Sequence, residues 1–499
     1  MARRPAGRGG NPIVVMVCLA ITVAMVLLVG WQWADSRTIV PASDAHVVHS
    51  GDTDRFALST PVLSVRRAPG VLSRRLNVTS FQEALKPLLD GINSTSCVAV
   101  SVDGQPIAVQ NPSLPVIPAS NMKLLTAAVA VEVLQPGYTF TTRVMGDIGD
   151  QATVGGAGVV VGDLFLVGGG DPLLSTDWWP ASTVQQYPPF GVTRLEQLAD
   201  AVVAKGVVRI TGSVVGDGSR YDDELYPPSW EPAVRQVEAG PIDALLVDDG
   251  HDSAATPGHV VDDPSIGAAT VFTTLLQARG VQIDGFPRAG TSTSQAELAS
   301  VTSQPLSSIL GEMLQTSDNN TAEMLLKEIG LQVRGLGTRE SGLAIVQSTL
   351  QTWGVPLDGV VLADGSGLSN DDRVTCNALL SVLQHGDVED PVGQALPVAG
   401  QTGTLHDAFL GSSLMGRLYA KTGTLNNTDN TTAGSDPPGV KSLSGYVIVN
   451  GGGSIEFALV LNGQTITSAG EFGHIWYDLL QPALESYPTG ASQAALGPR

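Results

Sequence analysis

Ser120 and Lys123 stand three residues apart in Pro118-Ala119-Ser120-Asn121-Met122-Lys123-Leu124-Leu125, at the opening of an apolar helical pattern. On a helix that spacing puts both side chains on one face, within reach of each other. A serine hydroxyl is a weak nucleophile until a neighbour takes its proton, and a partly desolvated lysine amine can be that neighbour. The chemistry implied is attack on a carbonyl to give an acyl-enzyme. S-x-x-K alone is a short pattern, equally served by a lysine snorkelling along an apolar surface. Two further signals follow it, Ser317-Asp318-Asn319 and Lys421-Thr422-Gly423-Thr424. Ser317 can relay a proton to a leaving amine, and Asn319 can orient Lys123 and a substrate amide. Lys421 with the hydroxyls of Thr422 and Thr424 suits a substrate with a terminal carboxylate. Gly423 leaves room for substrate backbone. The backbone N–H groups of Ser120 and Thr424 form an oxyanion hole if the strand lies beside the helix.

The elements that must position these residues are legible as patterns. Thr79 opens an amphipathic helix that ends near Gly91. Cys97 to Val102 alternates like a strand, Asp103-Gly104 is a hairpin turn and Pro106 to Val109 returns. The Ser120 helix runs to about Leu134. From about Gly146 to Ser300 short valine strands and glycine turns dominate, interrupted by helices at Thr193 to Ala204 and Ala268 to Arg279. Helices resume at Ser307 to Gln315 and Thr321 to Ile329. A hairpin pattern covers Leu443 to Val449 and Ile455 to Leu461, and a helix closes the pattern at Ala469 to about Glu485. These segments predict an α+β fold, an antiparallel sheet covered by helices, split by a large β-rich inserted domain. The expected division is a basic end and membrane segment over 1–34, a linker over 35–78, the split domain over 79–145 and 301–487, the insert over 146–300 and a flexible tail over 488–499.

The 499 residues are 43% apolar and only 15% charged, the balance of a globular protein. A net charge of −21 repels phosphate backbones and argues against nucleic acid as a partner. Arg3, Arg4 and Arg8 precede an apolar run from Ile13 to Val29, bounded by Trp31 and Trp33. With its flanking residues this run approaches the about 20 needed to span hydrocarbon. Residues 13–31 therefore read as a membrane anchor with the basic end in the cytoplasm. A cleaved signal calls for small residues at an A-x-A-like site, and Gln32-Trp33-Ala34 lacks the first of them. Cleaved or not, the segment puts the remaining chain outside the cytoplasmic membrane. Of the three cysteines, Cys18 lies in the apolar run, leaving Cys97 and Cys376 as either a bridge or two buried thiols.

Ser120-x-x-Lys123, Ser317-Asp318-Asn319 and Lys421-Thr422-Gly423, in that order, match the signature of class A β-lactamases and penicillin-binding proteins. Further segments sharpen the match: Gly168-Gly169-Gly170-Asp171-Pro172, Asp364-Gly365-Ser366-Gly367-Leu368-Ser369, Leu396-Pro397-Val398-Ala399-Gly400, Ala420-Lys421-Thr422-Gly423-Thr424-Leu425 and Ser442-Leu443-Ser444-Gly445-Tyr446. From about Thr79 to Tyr487 the chain resembles class C low-molecular-mass penicillin-binding proteins, the D-alanyl-D-alanine carboxypeptidase/endopeptidase family of S13-type serine peptidases. The resemblance implies a β-lactamase-like DD-peptidase domain with a nested accessory domain and no metal or cofactor. It implies action on the D-Ala-D-Ala end of peptidoglycan stem peptides and inhibition by β-lactam antibiotics. In the family an acidic residue after a tryptophan in the insertion holds the amine of the substrate's third residue. Trp230-Glu231 matches, with glutamate where aspartate is usual. Relatives often carry an arginine after the G-T-L that precedes K-T-G. Here Gly403-Thr404-Leu405 is followed by His406, Asp407 and Ala408, so His406 reads as an ordinary loop histidine.

Other classes fit less well. A β-lactamase needs a glutamate-activated water, and no E-x-x-L-N lies between Ser317 and Lys421. No serine is flanked as G-x-S-x-G, and no H-E-x-x-H is present among the 7 histidines. A non-catalytic, membrane-tethered wall-binding or scaffold protein of the same fold would have lost a motif residue. Ser120, Lys123, Ser317, Asn319, Lys421, Thr422 and Gly423 are all retained.

Overall fold

The computed structural model describes residues 68–149, 158–184, 186–252, 259–426, 438–450 and 452–489, with residue 492. The expected membrane segment, most of the expected linker and most of the tail lie outside the described residues. Among the described residues no helix is long and apolar enough to cross a membrane.

Helix α1 spans Ala68–Gly91, so its first turns fall where the sequence reads as linker. The pattern there is inverted. Ser73 and Asn77 are buried while Leu72 and Leu76 are exposed, and the amphipathic signal begins only at Phe81. Strands β1 (Cys97–Val102) and β2 (Gln105–Gln110) form a hairpin. Its turn, Asp103-Gly104, has φ of 47° and 72°, the left-handed geometry that matches strand twist. A 3₁₀ turn, Ala119–Asn121, leads into α2 (Met122–Leu134).

The intervening segment contains β3 (Thr141–Met145), β4 (Gly158–Val160), β5 (Leu164–Val167), β6 (Leu174–Ser175), β7 (Thr193–Arg194) and α3 (Leu195–Ala204). It continues through β8 (Val207–Ile210), β9 (Val214–Asp217), α4 (Pro264–Ala278), β10 (Gln282–Ile283), β11 (Arg288–Ala289) and β12 (Glu297–Thr302). One sheet has the order β11-β9-β5-β3-β12 and a second β10-β8-β4. β5, β9 and β11 run parallel, as do β4, β8 and β10, with α3 and α4 packed against them. The paired strands β3 and β12 lie partly outside the 146–300 that sequence texture suggested.

The chain then gives α5 (Leu306–Thr316), α6 (Asn319–Arg334), α7 (Arg339–Thr352), α8 (Cys376–His385), α9 (Pro391–Ala395), β13 (Leu418–Leu425), β14 (Gly439–Ile448) and β15 (Ser454–Gly463). It closes with a helical run over Ala469–Glu485 whose middle, His474–Leu480, is π-helical. The main sheet is antiparallel, in the order β13-β14-β15-β1-β2. Val98 and Val100 join Phe81, Leu85, Phe457, Leu459 and Leu484 on one face. Cys97 and Ala99 join Leu124, Leu379, Ala458 and Val460 on the other. Because both faces are covered, β1 is buried along its whole length. The fold is α+β, as expected. Cys97 of β1 and Cys376 of α8 are joined by a disulfide across 279 residues.

Candidate active site

Helix α2 is mostly apolar and is buried along its first turns inside the helical layer, so it carries Lys123 to full burial. Ser120 lies in the 3₁₀ turn just before it, at the edge of a cleft of about 670 Å³. Between α5 and α6 the chain reverses sharply. Ser317 takes φ 67° at the end of α5, and Asp318 caps α6 by accepting from the N–H groups of Asn320 and Thr321. This reversal turns Ser317 and Asn319 towards the serine and the lysines.

The three motifs meet. Lys123 Nζ is 3.1 Å from Ser120 Oγ, 2.6 Å from Asn319 Oδ1 and 2.9 Å from the Ser366 carbonyl. Lys421 Nζ donates to Ser317 Oγ at 2.8 Å and to the Thr422 carbonyl at 2.9 Å. Thr422, Gly423 and Thr424 line the cleft on β13, an edge strand. Asn121 Nδ2 donates to the Lys421 carbonyl at 3.3 Å and contacts Ser442 Oγ, which donates to the Pro118 carbonyl at 2.8 Å. These bonds stitch β13 and β14 to the turn carrying Ser120. Gly423 is required by that approach, since a Cβ there would lie 2.2 Å from Ser442 Oγ and 3.0 Å from the Ser120 backbone nitrogen.

Burial pulls the Lys123 amine down to about 8, against the opposing charges of Asp364, Asp318, Glu323 and Glu238. Burial, with the nearby Lys123 charge, holds Lys421 well below the ordinary lysine range. An amine near 8 is in part neutral at physiological pH and has a lone pair for the serine proton.

Sequence reasoning did not single out Thr404, Lys441 or Ser442. Thr422 Oγ1 donates to Thr404 Oγ1 at 2.7 Å, and Lys441 Nζ donates to Thr424 Oγ1 at 2.9 Å. Thr404 and Ser442 stand inside segments that carry the family resemblance, and Lys441 lies opposite Thr424 across the sheet, a register that a linear reading does not supply. Glu231 is exposed and is not among the residues lining the cleft, whose acidic residues are Glu238, Asp249 and Asp318. Trp230 beside it is buried, with its indole N–H on Asp364 Oδ2 at 2.7 Å. His406 is an exposed loop residue whose Nδ1 lies 3.0 Å from the Gly403 carbonyl. Among the described residues no group of His, Cys, Asp and Glu could hold a metal ion.

Comparison with known proteins gives a consistent result. The family model described as D-Ala-D-Ala carboxypeptidase 3 (S13) matches residues 78–257 and 251–475. A D-alanyl-D-alanine carboxypeptidase of Actinomadura sp. (strain R39) is 31% identical over 448 residues, covering 76% of this chain and 79% of the relative. Carboxypeptidase DacB of Mycolicibacterium smegmatis is 31% identical over 396 residues, covering 77% and 78%. Penicillin binding protein 4 of Haemophilus influenzae shares the fold, with a TM-score of 0.65, 21% identity and coverage of 79% of this chain and 98% of that structure.

Proposed function

The chain belongs to the D-Ala-D-Ala carboxypeptidase 3 (S13) family, and from that premise we infer that it is a serine-type D-Ala-D-Ala carboxypeptidase acting on peptidoglycan outside the cytoplasm. It is a penicillin-binding protein, and β-lactams are its inhibitors.

In this reading neutral Lys123 takes the proton of Ser120 Oγ as that oxygen attacks the penultimate D-alanine carbonyl. The N–H groups of Ser120 and Thr424 receive the oxyanion. Ser317 passes a proton to the departing D-alanine nitrogen as the C–N bond breaks and regains one from the proton that Lys123 took, leaving an ester on Ser120 and a neutral Lys123 amine. Water, deprotonated by Lys123, then hydrolyses the ester. Lys421, Thr422 and Thr424 hold the terminal carboxylate, Asn319 holds the substrate amide, and Gly423 admits the substrate backbone. On the insert side Glu238 takes the role that sequence offered to Glu231. The observation that carries this reading is the single amine, Lys123 Nζ, within hydrogen-bond reach of both Ser120 and Asn319. The test is labelling with a fluorescent penicillin, which should acylate the wild type and leave Ser120→Ala unlabelled. A labelled alanine variant, or a wild type that releases no D-alanine from a D-Ala-D-Ala peptide, sinks it.

Two coarser features complete the reading. Residues 1–34 provide a basic cytoplasmic end and a membrane anchor, supported by the apolar run between Arg8 and Trp31. Residues 79–145 and 301–487 form the peptidase domain around an insert. Expressed in a bacterial host, the full chain should stay with the membrane after a high-salt wash, and a chain starting at residue 35 should not. Release of the full chain by salt alone would rule out the anchor.

A further inference from the structure

A neutral lysine amine has two N–H donors and one lone pair. If Lys123 is to take the serine proton, its two N–H bonds must be directed elsewhere. Two acceptors stand ready, Asn319 Oδ1 at 2.6 Å and the Ser366 carbonyl at 2.9 Å, so the lone pair is left facing Ser120 Oγ. The direction of the base therefore depends on what fixes those two oxygens.

Both are fixed from Trp230–Gly240. Asn319 Nδ2 donates to the Glu238 carbonyl at 2.6 Å, which sets which end of that amide meets Lys123. Next to it, the Asn320 amide exchanges bonds with Gly240, accepting from its N–H at 3.0 Å and donating to its carbonyl at 3.2 Å. The second oxygen belongs to the loop Asp364–Ser369. Its backbone is clamped by Asp364, which accepts from Gly367 at 2.6 Å and from Ser369 at 2.7 Å, and by Glu323, which accepts from Gly365 and Ser366. The Trp230 indole N–H, 2.7 Å from Asp364 Oδ2, ties that clamp to the same stretch. Trp230 is 1% exposed, so the bond is shielded from water.

We propose that the stretch Trp230–Gly240 of the inserted segment is a positioning brace for the general base, holding both acceptors that orient the Lys123 amine. Trp230 is its positioning residue, acting through Asp364, the loop carboxylate it bonds. The inference rests on the serine-lysine reading above, and it gives the insert a part in the chemical step besides any part in substrate choice. The groups facing Lys123 are Asp364, Glu323 of α6, Asp318 of the α5–α6 reversal, Glu238 of the insert and Lys421 of β13. Removing the Asp364 charge disfavours the protonated amine, so the pH at which Lys123 becomes competent should fall.

The test is stopped-flow acylation by a fluorescent penicillin across pH 6 to 10, separating initial binding from the acylation rate constant. Trp230→Phe keeps an aromatic ring but removes the donor together with the volume of the second ring. It should acylate between about tenfold and a hundredfold more slowly, the loss expected from a misdirected reacting group, with initial binding unchanged. Asp364→Asn should shift the acid limb of the rate to lower pH, which a merely structural lesion would not do. If Trp230→Phe does not fold, the acylation plateau of Asp364→Asn decides, slowed at unchanged initial binding if the brace holds and at the wild-type value if it does not. Wild-type rates and an unmoved limb in both variants overturn the brace, as does a Trp230→Phe loss confined to initial binding. The reading beneath it fails separately, through an unlabelled wild type or a labelled Ser120→Ala.

Discussion

At the residue scale the site's pH behaviour follows from one group. Lys123 must be neutral to act as base, and burial brings its amine down to about 8. Acylation by a β-lactam should therefore rise with pH and reach half its plateau near 8, as pH–rate measurement would reveal. A limb near 10 would mean that the amine is solvated in solution. Gly423 offers a second check. Gly423→Ala would drive a Cβ against Ser442 Oγ and the Ser120 nitrogen, where 2.2 Å and 3.0 Å are available. The variant should fold but lose at least about a hundredfold in acylation, as the strand is pushed from the serine turn. Unchanged labelling would show that β14 yields easily.

At the scale of elements, the insert contains one strand-turn-strand unit used three times. β4 leads to β5 through Gly162, β8 to β9 through Gly212, and β10 to β11 through Gly285. The turns stack, with Gly212 N–H donating to the Gly162 carbonyl and Gly285 N–H to the Gly212 carbonyl, both at 2.8 Å. A Cβ on Gly212 would fall 2.6 Å from the Gly162 carbonyl carbon. Gly212→Ala should cost about 2–3 kcal/mol, the usual cost of overpacking, read as a lowered unfolding midpoint in urea. The surviving folded fraction should still take penicillin label. This stacking also explains what the sequence left hidden. The local signals, the S-x-x-K helix start, the Asp103-Gly104 turn and the helices after Pro305, were legible because a few neighbours determine them. So was the meeting of the three motifs, through family resemblance. The parallel pairing of β5, β9 and β11 depends on partners far along the chain, and so does the Lys441–Thr424 contact. The early turns of α1 escaped because their buried residues are Ser73 and Asn77, whose type announces the surface.

At the scale of the molecule, the Cys97–Cys376 bridge closes a loop across 279 residues that contains the insert and four of the site residues, Ser120, Lys123, Ser317 and Asn319. By loop-closure entropy such a bridge contributes about 5–6 kcal/mol. Cys97→Ser with Cys376→Ser should melt lower than the wild type, and reductant should lower the wild type but leave the double variant unmoved. Equal melting temperatures would show that the loop is already held by packing. A bridge of this kind also suits the oxidising side of the membrane. Lys421, Thr422, Gly423 and Thr424 lie beyond the bridge, on β13. The main sheet is filled last, because β15 is the strand that joins β13 and β14 to β1. A chain synthesised and exported from its N-terminus thus presents both cysteines before the strand carrying Lys421 has emerged. A nascent chain ending before Leu418 should take no penicillin label even when its disulfide is formed. The peptidase would then be silent throughout its own export, and would become able to cut the wall only when the final strands dock.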